Sequence, residues 1–351
     1  NPEGVVIKTA VVGFGDIMAG KGSNPFYNND IASAKKWGQQ GLGGFYEGTN
    51  DQDIVTSVLS FLKKLQKYIP PVTTGSVTVP VDNLDTQNIQ PWGYFPQFDP
   101  QPDSRVTTWI GNLKKYKVKN NILRDRDNNK VVDESTGVSV DDPNDFWADT
   151  SIKKIITKIK IVDGKEVEED IEVRIGGALS QLKLGLTDTN IERKIFTDRK
   201  INEDGTVATV GDNSNLLQVK TADLKVLNDT NNFVKDPKRG YLAALFGYDI
   251  SSAMARQLET NPPDSTAQTT FTNFLTNTNA TLRQMGAVMH SKPLLITQEG
   301  KTKFDAATGD LSYESRDDLI VFGTTQGLLH VVRAGKNSTD SNAGKEVFTF
   351  V

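Results

Sequence analysis

The stretch 319–332 reads LIVFGTTQGLLHVV and decides how the C-terminal part of this chain folds. Two apolar runs flank a short segment bounded by Gly323 and Gly327, which is the pattern of two β-strands joined by a tight turn. A second stretch, GKEVFTF at 344–350, adds another turn and a third strand. The sequence therefore predicts consecutive antiparallel strands over residues 319–350.

Short runs of the same kind begin near Arg105 and continue to the end of the chain. Six further strands are predicted at 106–116, 153–162, 168–175, 194–197, 216–220 and 293–297. Small antiparallel sheets that follow one another are typical of a β-propeller. Residues 105–351 are therefore predicted to form the first blades of a propeller.

Long loops interrupt these strands. The region 120–150 is polar, and the region 221–285 contains two runs with helical periodicity, at 241–246 and 270–277. Loops held on a rigid scaffold often carry binding residues. We expect 120–150 and 221–285 to face a partner.

The first seventy residues follow a different pattern. Apolar runs at 5–14 and 45–47 predict two strands, with a helix at 30–37 between them. Asn50 and the acidic residues after it are a good helix start. Apolar residues then recur at spacings of three and four, at Ile54, Val58, Leu62, Leu65 and Ile69. Residues 1–71 are predicted to form half of an open α/β sheet.

Residues 72–104 separate the two parts. This stretch has little periodicity and contains Pro80, Pro91, Pro96, Pro100 and Pro102. Proline removes a backbone donor and interrupts both helices and central strands. The stretch is predicted to be a proline-rich linker with one short strand at 77–79.

Composition excludes several classes of site. The 351 residues include no cysteine, which excludes disulfides, zinc–thiolate sites and thiol nucleophiles from this chain. The formal net charge of −4 gives no global field that would attract nucleic acid. No apolar run approaches the roughly 20 residues that cross a bilayer, so no transmembrane segment is predicted. Because the chain starts at Asn1 and ends in an apolar run, we expect it to belong to a longer protein.

Four sequence landmarks occur in a definite order. They are WIGNLKKY at 109–116, RIGGAL at 174–179, RKIFT at 193–197 and MGAVMHSKP at 285–293. In order and rough spacing they resemble the PilC/PilY family of type IV pilus tip proteins. The stretch 319–350 is similar to the repeat of quinoprotein-type propellers, and residues 1–71 resemble the C-terminal half of a von Willebrand factor A domain.

The resemblance implies a function. A PilC/PilY-like protein would be exported and would act in pilus biogenesis and adhesion without catalysis. It would pass through the periplasm or outer membrane to the cell surface and the pilus tip. Its partners would be minor pilins and a host-cell or surface receptor. The alternatives are a quinone-dependent dehydrogenase that shares the propeller repeat, and a lectin-like or scaffold propeller unrelated to pili.

Two departures from the family limit what the resemblance implies. The metal-binding motif of such A domains, D-x-S-x-S, has no match in this sequence, so no adhesion-site metal is assigned. Residues 105–351 also contain too few strands to close a propeller, at about 40–45 residues a blade. The propeller in this chain is therefore predicted to be incomplete.

One loop has the spacing of a calcium site. Oxygen donors stand at positions 1, 3, 5 and 9, with a backbone carbonyl at 7, and are supplied by Asp125, Asp127, Asn129, Val131 and Asp133. Calcium prefers several hard oxygen ligands from a tightly curled loop. However, Lys130 stands where such loops have glycine, and the glutamate expected at position 12 is missing. A solvated turn, in which Asp and Asn are favoured, remains the alternative.

The two histidines and a lysine run offer weaker candidates. His290 and His330 have no carboxylate or cysteine at metal-ligand spacing and are predicted to be packed or hydrogen-bonded. In the run 114–119, strand alternation would place Lys115, Lys117 and Lys119 on one solvated face. Without a net positive domain, this run does not favour DNA binding.

Overall fold

A computed structural model gives the fold of most of the chain. It describes residues 9–18, 25–65, 72–73, 77–79, 90–100, 109–133, 139–162, 165–185, 193–208, 216–225, 232–259, 264–289, 291–300, 303–305, 310–312, 316–335 and 340–351. The chain divides into two compact units. The first comprises 1–69 with 157–170, and the second comprises 70–156 with 171–351.

The first unit contains the expected order of strand, helix, strand and helix. Its elements are β1 (Thr9–Phe14), α1 (Pro25–Gln40), β2 (Leu42–Gly48) and α2 (Asp51–Leu65). The two strands pair in parallel, with Val11 opposite Phe45 and Phe14 opposite Gly48. A parallel pair needs a crossover connection, and α1 provides it.

Helix α2 begins where the sequence predicts. The side chain of Asn50 accepts a hydrogen bond of 2.9 Å from the backbone N–H of Asp53, and the Asp53 carboxylate accepts one of 3.3 Å from the backbone N–H of Asn50. This reciprocal arrangement is a capping box. On the same helix, the apolar residues Ile54 and Val58 are exposed, so this two-stranded sheet leaves part of the predicted stripe uncovered.

The second unit begins with a four-stranded antiparallel sheet. Its strands are β3 (Val72–Thr73), β4 (Trp92–Phe98), β5 (Gly111–Lys119) and β6 (Ile122–Arg124), paired in chain order. Such an order is a simple meander. Strand β4 pairs with β5 over its whole length, from Trp92 opposite Lys117 to Phe98 opposite Gly111.

Strand β4 lies within the predicted linker. Residues 92–97 are buried although the strand contains Pro96. Backbone N–H groups alternate sides along a strand, and the N–H of Tyr94 points to Thr78, away from β5. The nitrogen of Pro96 points to the same side, so its missing N–H costs no hydrogen bond with β5. Residues 92–98 therefore belong to the sheet and not to a linker.

A hairpin and a short helix follow. They are β7 (Lys153–Val162), β8 (Lys165–Arg174) and α3 (Gly177–Ser180). The hairpin matches the strands predicted at 153–162 and 168–175, whereas the helix was not predicted. Its four residues are all buried.

The remaining elements combine strands with inserted helices. In chain order they are β9 (Ile195–Thr197), β10 (Leu217–Val219), α4 (Arg239–Leu245), α5 (Ser252–Gln257), α6 (Ser265–Asn277), β11 (Leu294–Glu299), β12 (Lys303–Asp305), β13 (Asp310–Ser312), β14 (Asp317–Gly323), β15 (Leu329–Arg333) and β16 (Glu346–Phe350). Helix α6 contains the run predicted at 270–277, and α4 contains the run predicted at 241–246 except for its last residue, Phe246.

A second antiparallel meander is formed by β11, β14, β15 and β16. It has the strand number and connectivity of one propeller blade. The hairpin of β9 and β10 extends it to a six-stranded sheet in the order β10-β9-β16-β15-β14-β11. Strand β9 pairs with β16 in parallel, with Ile195 opposite Thr349. The sheets formed by the described residues are open, and no ring of blades closes among them.

The two meanders share one hydrophobic core. It contains Trp92, Tyr94 and Leu113 from the first meander and Leu295, Ile320, Phe322 and Val332 from the second, together with Phe146, Trp147, Ala178, Leu179, Leu182, Met285, Val288, Ala334 and Ala343. The inserted helices have a separate core around Phe233, Phe246 and Phe271. No helix among the described ranges combines the length and apolarity of a membrane span.

Candidate functional site: a buried junction and a cationic pocket

Three of the sequence landmarks meet between the two meanders. The backbone N–H of Gly111 donates a 2.7 Å hydrogen bond to the carbonyl of Met285, and Ile110 forms an antiparallel bridge with Gly286. A side chain at Gly111 would lie 2.3 Å from the Cα of Ala287, so only glycine fits at this crossing. We call the contact region of 109–116, 174–179 and 285–289 the landmark junction.

Asn112 joins β5 to the helix α3. Its amide nitrogen donates to the carbonyls of Ile175 and Gly176, at 3.2 and 3.0 Å, and its amide oxygen accepts from the N–H of Leu179 at 3.1 Å. The turn before the helix needs positive φ at Gly176 and Gly177, of 63° and 59°. The positive φ angles explain why both positions in the RIGGAL motif are glycine.

Asp145 holds the same turn from the other side. Its two carboxylate oxygens accept from the backbone N–H groups of Trp147, at 2.9 Å, and Gly177, at 2.8 Å. Burial raises the pKa of Asp145 and lowers the pKa of the neighbouring Lys114, although the opposite charges oppose both shifts. The segment 143–148 is buried, so this part of the predicted loop 120–150 is part of the core.

Lys115 is buried beside the junction. Its ammonium nitrogen lies 4.1 Å from the centre of the Trp92 ring and donates to the carbonyls of Ala334 and Gly335. Only 2% of the residue is exposed, and burial lowers its pKa to about 7. The prediction that Lys115 lies on a solvated face is therefore wrong, because its ammonium group lies over an aromatic ring and donates to two backbone carbonyls.

A cationic pocket opens at the starts of β9 and β16. Its volume is about 190 Å³, and the charged side chains that line it are Lys183, Arg193, Lys194, Arg333, Lys345 and Glu346. The parallel pairing of β9 with β16 brings the residues before β9 against the first half of β16. The turn that precedes β16 supplies Lys345, and the end of β15 supplies Arg333.

The floor of the cationic pocket is an ionic network. Arg193 donates to both carboxylate oxygens of Glu346, at 2.6 and 2.9 Å, and to the carbonyl of Leu245 at 2.9 Å. A nitrogen of the His330 ring lies 2.7 Å from the same carboxylate. Burial alone would raise the pKa of Glu346, but Arg193 and the bond with His330 hold it at about 2.

His330 has the contacts of a catalytic histidine, but its side chain is not accessible to a substrate. Its two nitrogens face Glu346 and the hydroxyl of Thr324, an order that resembles a hydroxyl–imidazole–carboxylate triad. However, the residue has no exposed surface, its ring stacks on Phe322 at 5.1 Å, and burial lowers its pKa. The ring therefore anchors β15 to β16 as a neutral, hydrogen-bonded side chain. His290 lies outside the described residues.

Comparisons with known proteins add no assignment. No family model, curated protein or solved structure matches the chain. The resemblance to the PilC/PilY family therefore rests on the sequence landmarks, and the structure shows how they contact one another.

The predicted calcium loop is a hydrogen-bonded turn in this structure. The Asp125 carboxylate accepts from the backbone N–H groups of Asn129, at 2.8 Å, and Asn144, at 3.2 Å. The carbonyl of Val131 accepts from the N–H of Val140, and Asp127 accepts from the side chain of Asn144. Within the described ranges, no group of three or more acidic, histidine or cysteine side chains could hold a metal ion. The calcium site stays a hypothesis.

Sequence reasoning did not find the cationic pocket. Its lysines are separated by up to 162 positions, from Lys183 to Lys345. No local spacing connects them, and only the pairing of β9 with β16 brings their segments together. The nearest sequence signal is the RKIFT landmark, which places two cations directly before a strand.

Proposed function

We propose that this chain is a non-catalytic part of an exported adhesion protein of the PilC/PilY type. In this proposal it binds minor pilins at the pilus tip, supports pilus biogenesis and contacts a host-cell or abiotic surface. The first unit corresponds to part of a von Willebrand factor A-type domain, and the second to the first blades of a quinoprotein-like propeller.

One observation carries the proposal. The landmark segments 109–116, 174–179 and 285–289 pack into one hydrogen-bonded junction, although Trp109 and Met285 are 176 positions apart. Motifs that are distant in sequence but bonded in space describe one structural unit. This supports a shared architecture with the family in which the landmarks occur in the same order.

The two meanders also support the propeller. Each has four antiparallel strands, although β9 and β10 extend the second to a six-stranded sheet, and both contribute side chains to one core. Neighbouring blades of a propeller pack in this way, face to face around an axis. A scaffold of this kind offers rigid support for inserted segments, which can then bind a partner.

The helical insertion is the surface that we assign to partner binding. Helices α4, α5 and α6 pack with β9 and β10 around a core that is separate from the core of the two meanders. On α4 the ring of Tyr241 is half exposed, with Lys238 5.1 Å from its centre. Tyrosine is enriched at protein interfaces because its ring is rigid and has a polar tip.

Binding of minor pilins to the purified chain tests the proposal. We expect saturable binding by biolayer interferometry, and a loss of about tenfold or more in Tyr241→Ala, as for a central interface tyrosine. Asn279→Ala is the matched control, because Asn279 is exposed and lies outside the helices. A folded chain that binds none of the minor pilins of its own organism would contradict the pilus function.

A further inference from the structure

The cationic pocket contains more positive charge than its own carboxylates neutralise. Glu346 is bound by Arg193 and His330, and Arg333 is paired with Asp317 at 2.5 Å. The remaining cations, Lys183, Lys194 and Lys345, form no ion pair with any carboxylate in the described part of the chain. Among the described residues, the positive charges of these three ammonium groups at the cavity are therefore not neutralised by a carboxylate.

The three lysines influence one another. Partial burial lowers the pKa of Lys183, and the charges of Lys345 and Lys194 lower it further. Such mutual repulsion is unfavourable in the empty cavity and is relieved when an anion enters. Meanwhile the whole chain has a net charge of −4, so general attraction of polyanions is not expected. The positive charge of the pocket is local.

The size of the cavity limits what can enter it. Its volume is about 190 Å³. Pockets for drug-sized ligands are larger, at about 300–1,000 Å³. A compact anionic group therefore fits inside, and any larger molecule that carries it would extend into solvent.

We propose that the cationic pocket binds a tetrahedral oxyanion, namely a phosphate or sulfate group. These three ammonium groups suit an anion with more than one negative charge and several oxygen atoms, since each lysine is a compact point charge with three donors. A single carboxylate would leave two of these charges unmatched. The Glu346 carboxylate does not repel the anion effectively, because Arg193 neutralises it at short range. This inference does not depend on the proposed pilus function.

Calorimetric titration of the 351-residue chain tests the site. The probes are inorganic phosphate, inorganic sulfate, and the phosphate and sulfate monoesters of a monosaccharide, each at constant ionic strength maintained with sodium chloride. We expect saturable binding of at least one probe. Binding of the inorganic ions alone would define a free-anion site, whereas monoesters that bind equally well or more tightly would define a site for an anionic group on a saccharide.

Charge-removing variants locate the binding. We expect Lys183→Met and Lys345→Met each to weaken it about tenfold, equivalent to about 1.4 kcal/mol. Lys200→Met is the control, since Lys200 is exposed, follows β9 and does not line the pocket. Near-ultraviolet circular dichroism checks that each variant is folded. No binding of any probe, or the same loss in Lys200→Met as in the pocket variants, would overturn the proposal.

Discussion

The side chain of Lys115 donates a 2.8 Å hydrogen bond to the backbone carbonyl of Ala334, which is 219 positions later in the chain. This bond joins the middle of β5 to the end of β15 and so links the two meanders directly. The indole N–H of Trp147 donates to the same carbonyl at 2.9 Å. Both lone pairs of this one carbonyl oxygen are thus used, by an amine and an aromatic ring in the shared core.

Lys115 should make stability depend on pH. Burial lowers its pKa from 10.5 to about 7, so between pH 7 and pH 10 the unfolded chain binds more protons than the folded chain. Stability therefore rises with pH in this window, by about 1.4 kcal/mol per pH unit from this group. We expect Lys115→Met to reduce that slope. Urea unfolding followed by tryptophan fluorescence from pH 7 to 9.5 measures it.

The control for this experiment is Lys119→Met, which removes an exposed lysine from the same strand. Its slope should equal that of the unmodified chain. Burial raises the pKa of Tyr116 well above 10 in the folded chain, so ionisation of this tyrosine in the unfolded chain lowers stability at high pH, and the upper limit of pH 9.5 keeps that contribution small. An unchanged slope in Lys115→Met would contradict a buried amine at this position.

Asn112 should be necessary for the landmark junction. Replacement by alanine leaves the N–H of Leu179 and the carbonyls of Ile175 and Gly176 without their side-chain partner. Unsatisfied buried polar groups cost about 1–3 kcal/mol. We expect Asn112→Ala to lower the free energy of unfolding by that amount. Asn279→Ala, at an exposed position, should change it by less than about 0.5 kcal/mol, and equal effects of the two variants would refute the role of Asn112.

Local patterns predicted much of the secondary structure. The strands at 153–162, 319–323 and 346–350 follow from apolar runs and turn residues, and the start of α2 follows from Asn50 and the acidic residues after it, all of which are short-range signals. Strand β4 was missed because Pro96 normally excludes a paired strand. Only its position relative to β5 and Thr78 shows that the missing donor is not needed.

Long-range contacts could not be predicted in the same way. The burial of Lys115 depends on Ala334 and Trp92, and the cationic pocket depends on the pairing of β9 with β16. Neither leaves a local pattern, since a lysine in an alternating strand has the same sequence signature whether its partner is water or a carbonyl. The candidate calcium loop shows the opposite difficulty. Its local spacing of oxygen donors is clear, but a hydrogen-bonded turn explains the same residues.

The buried pair of Arg193 and Glu346 should show strong coupling. Both side chains are almost fully buried, so removing one leaves the other charge without a partner. Breaking such a pair costs about 3–5 kcal/mol, whereas replacing both partners by apolar side chains often costs much less. We expect Arg193→Met to be less stable than the double variant Arg193→Met with Glu346→Met. Denaturant unfolding of the unmodified chain, Arg193→Met, Glu346→Met and the double variant measures the coupling, and additive losses would refute it.

Acid should weaken the same network. The pKa of Glu346 is about 2 in the folded chain and near 4.5 when unfolded, so its contribution is present above pH 4.5 and is lost as pH falls towards 2. His330 acts in the same direction below pH 6.5, because burial lowers its pKa. We expect the double variant to lose less stability between pH 5 and pH 3 than the unmodified chain. An identical loss in both would show that other groups control the acid response.

The turn at 125–133 should be stabilised by its own hydrogen bonds, with or without calcium. Asp125→Ala removes the acceptor of two backbone N–H groups and should cost about 1–3 kcal/mol. Asp127→Ala should cost less, because Asp127 is exposed and its carboxylate accepts a hydrogen bond from the side-chain amide of Asn144. A ligand that binds only the folded chain raises its stability by an amount that grows with concentration. We therefore expect millimolar calcium to raise the melting temperature no more than magnesium does. A rise specific to calcium that disappears in Asp127→Ala would instead establish the metal site. The hydrogen bonds of the turn alone would not make the melting temperature depend on calcium through Asp127.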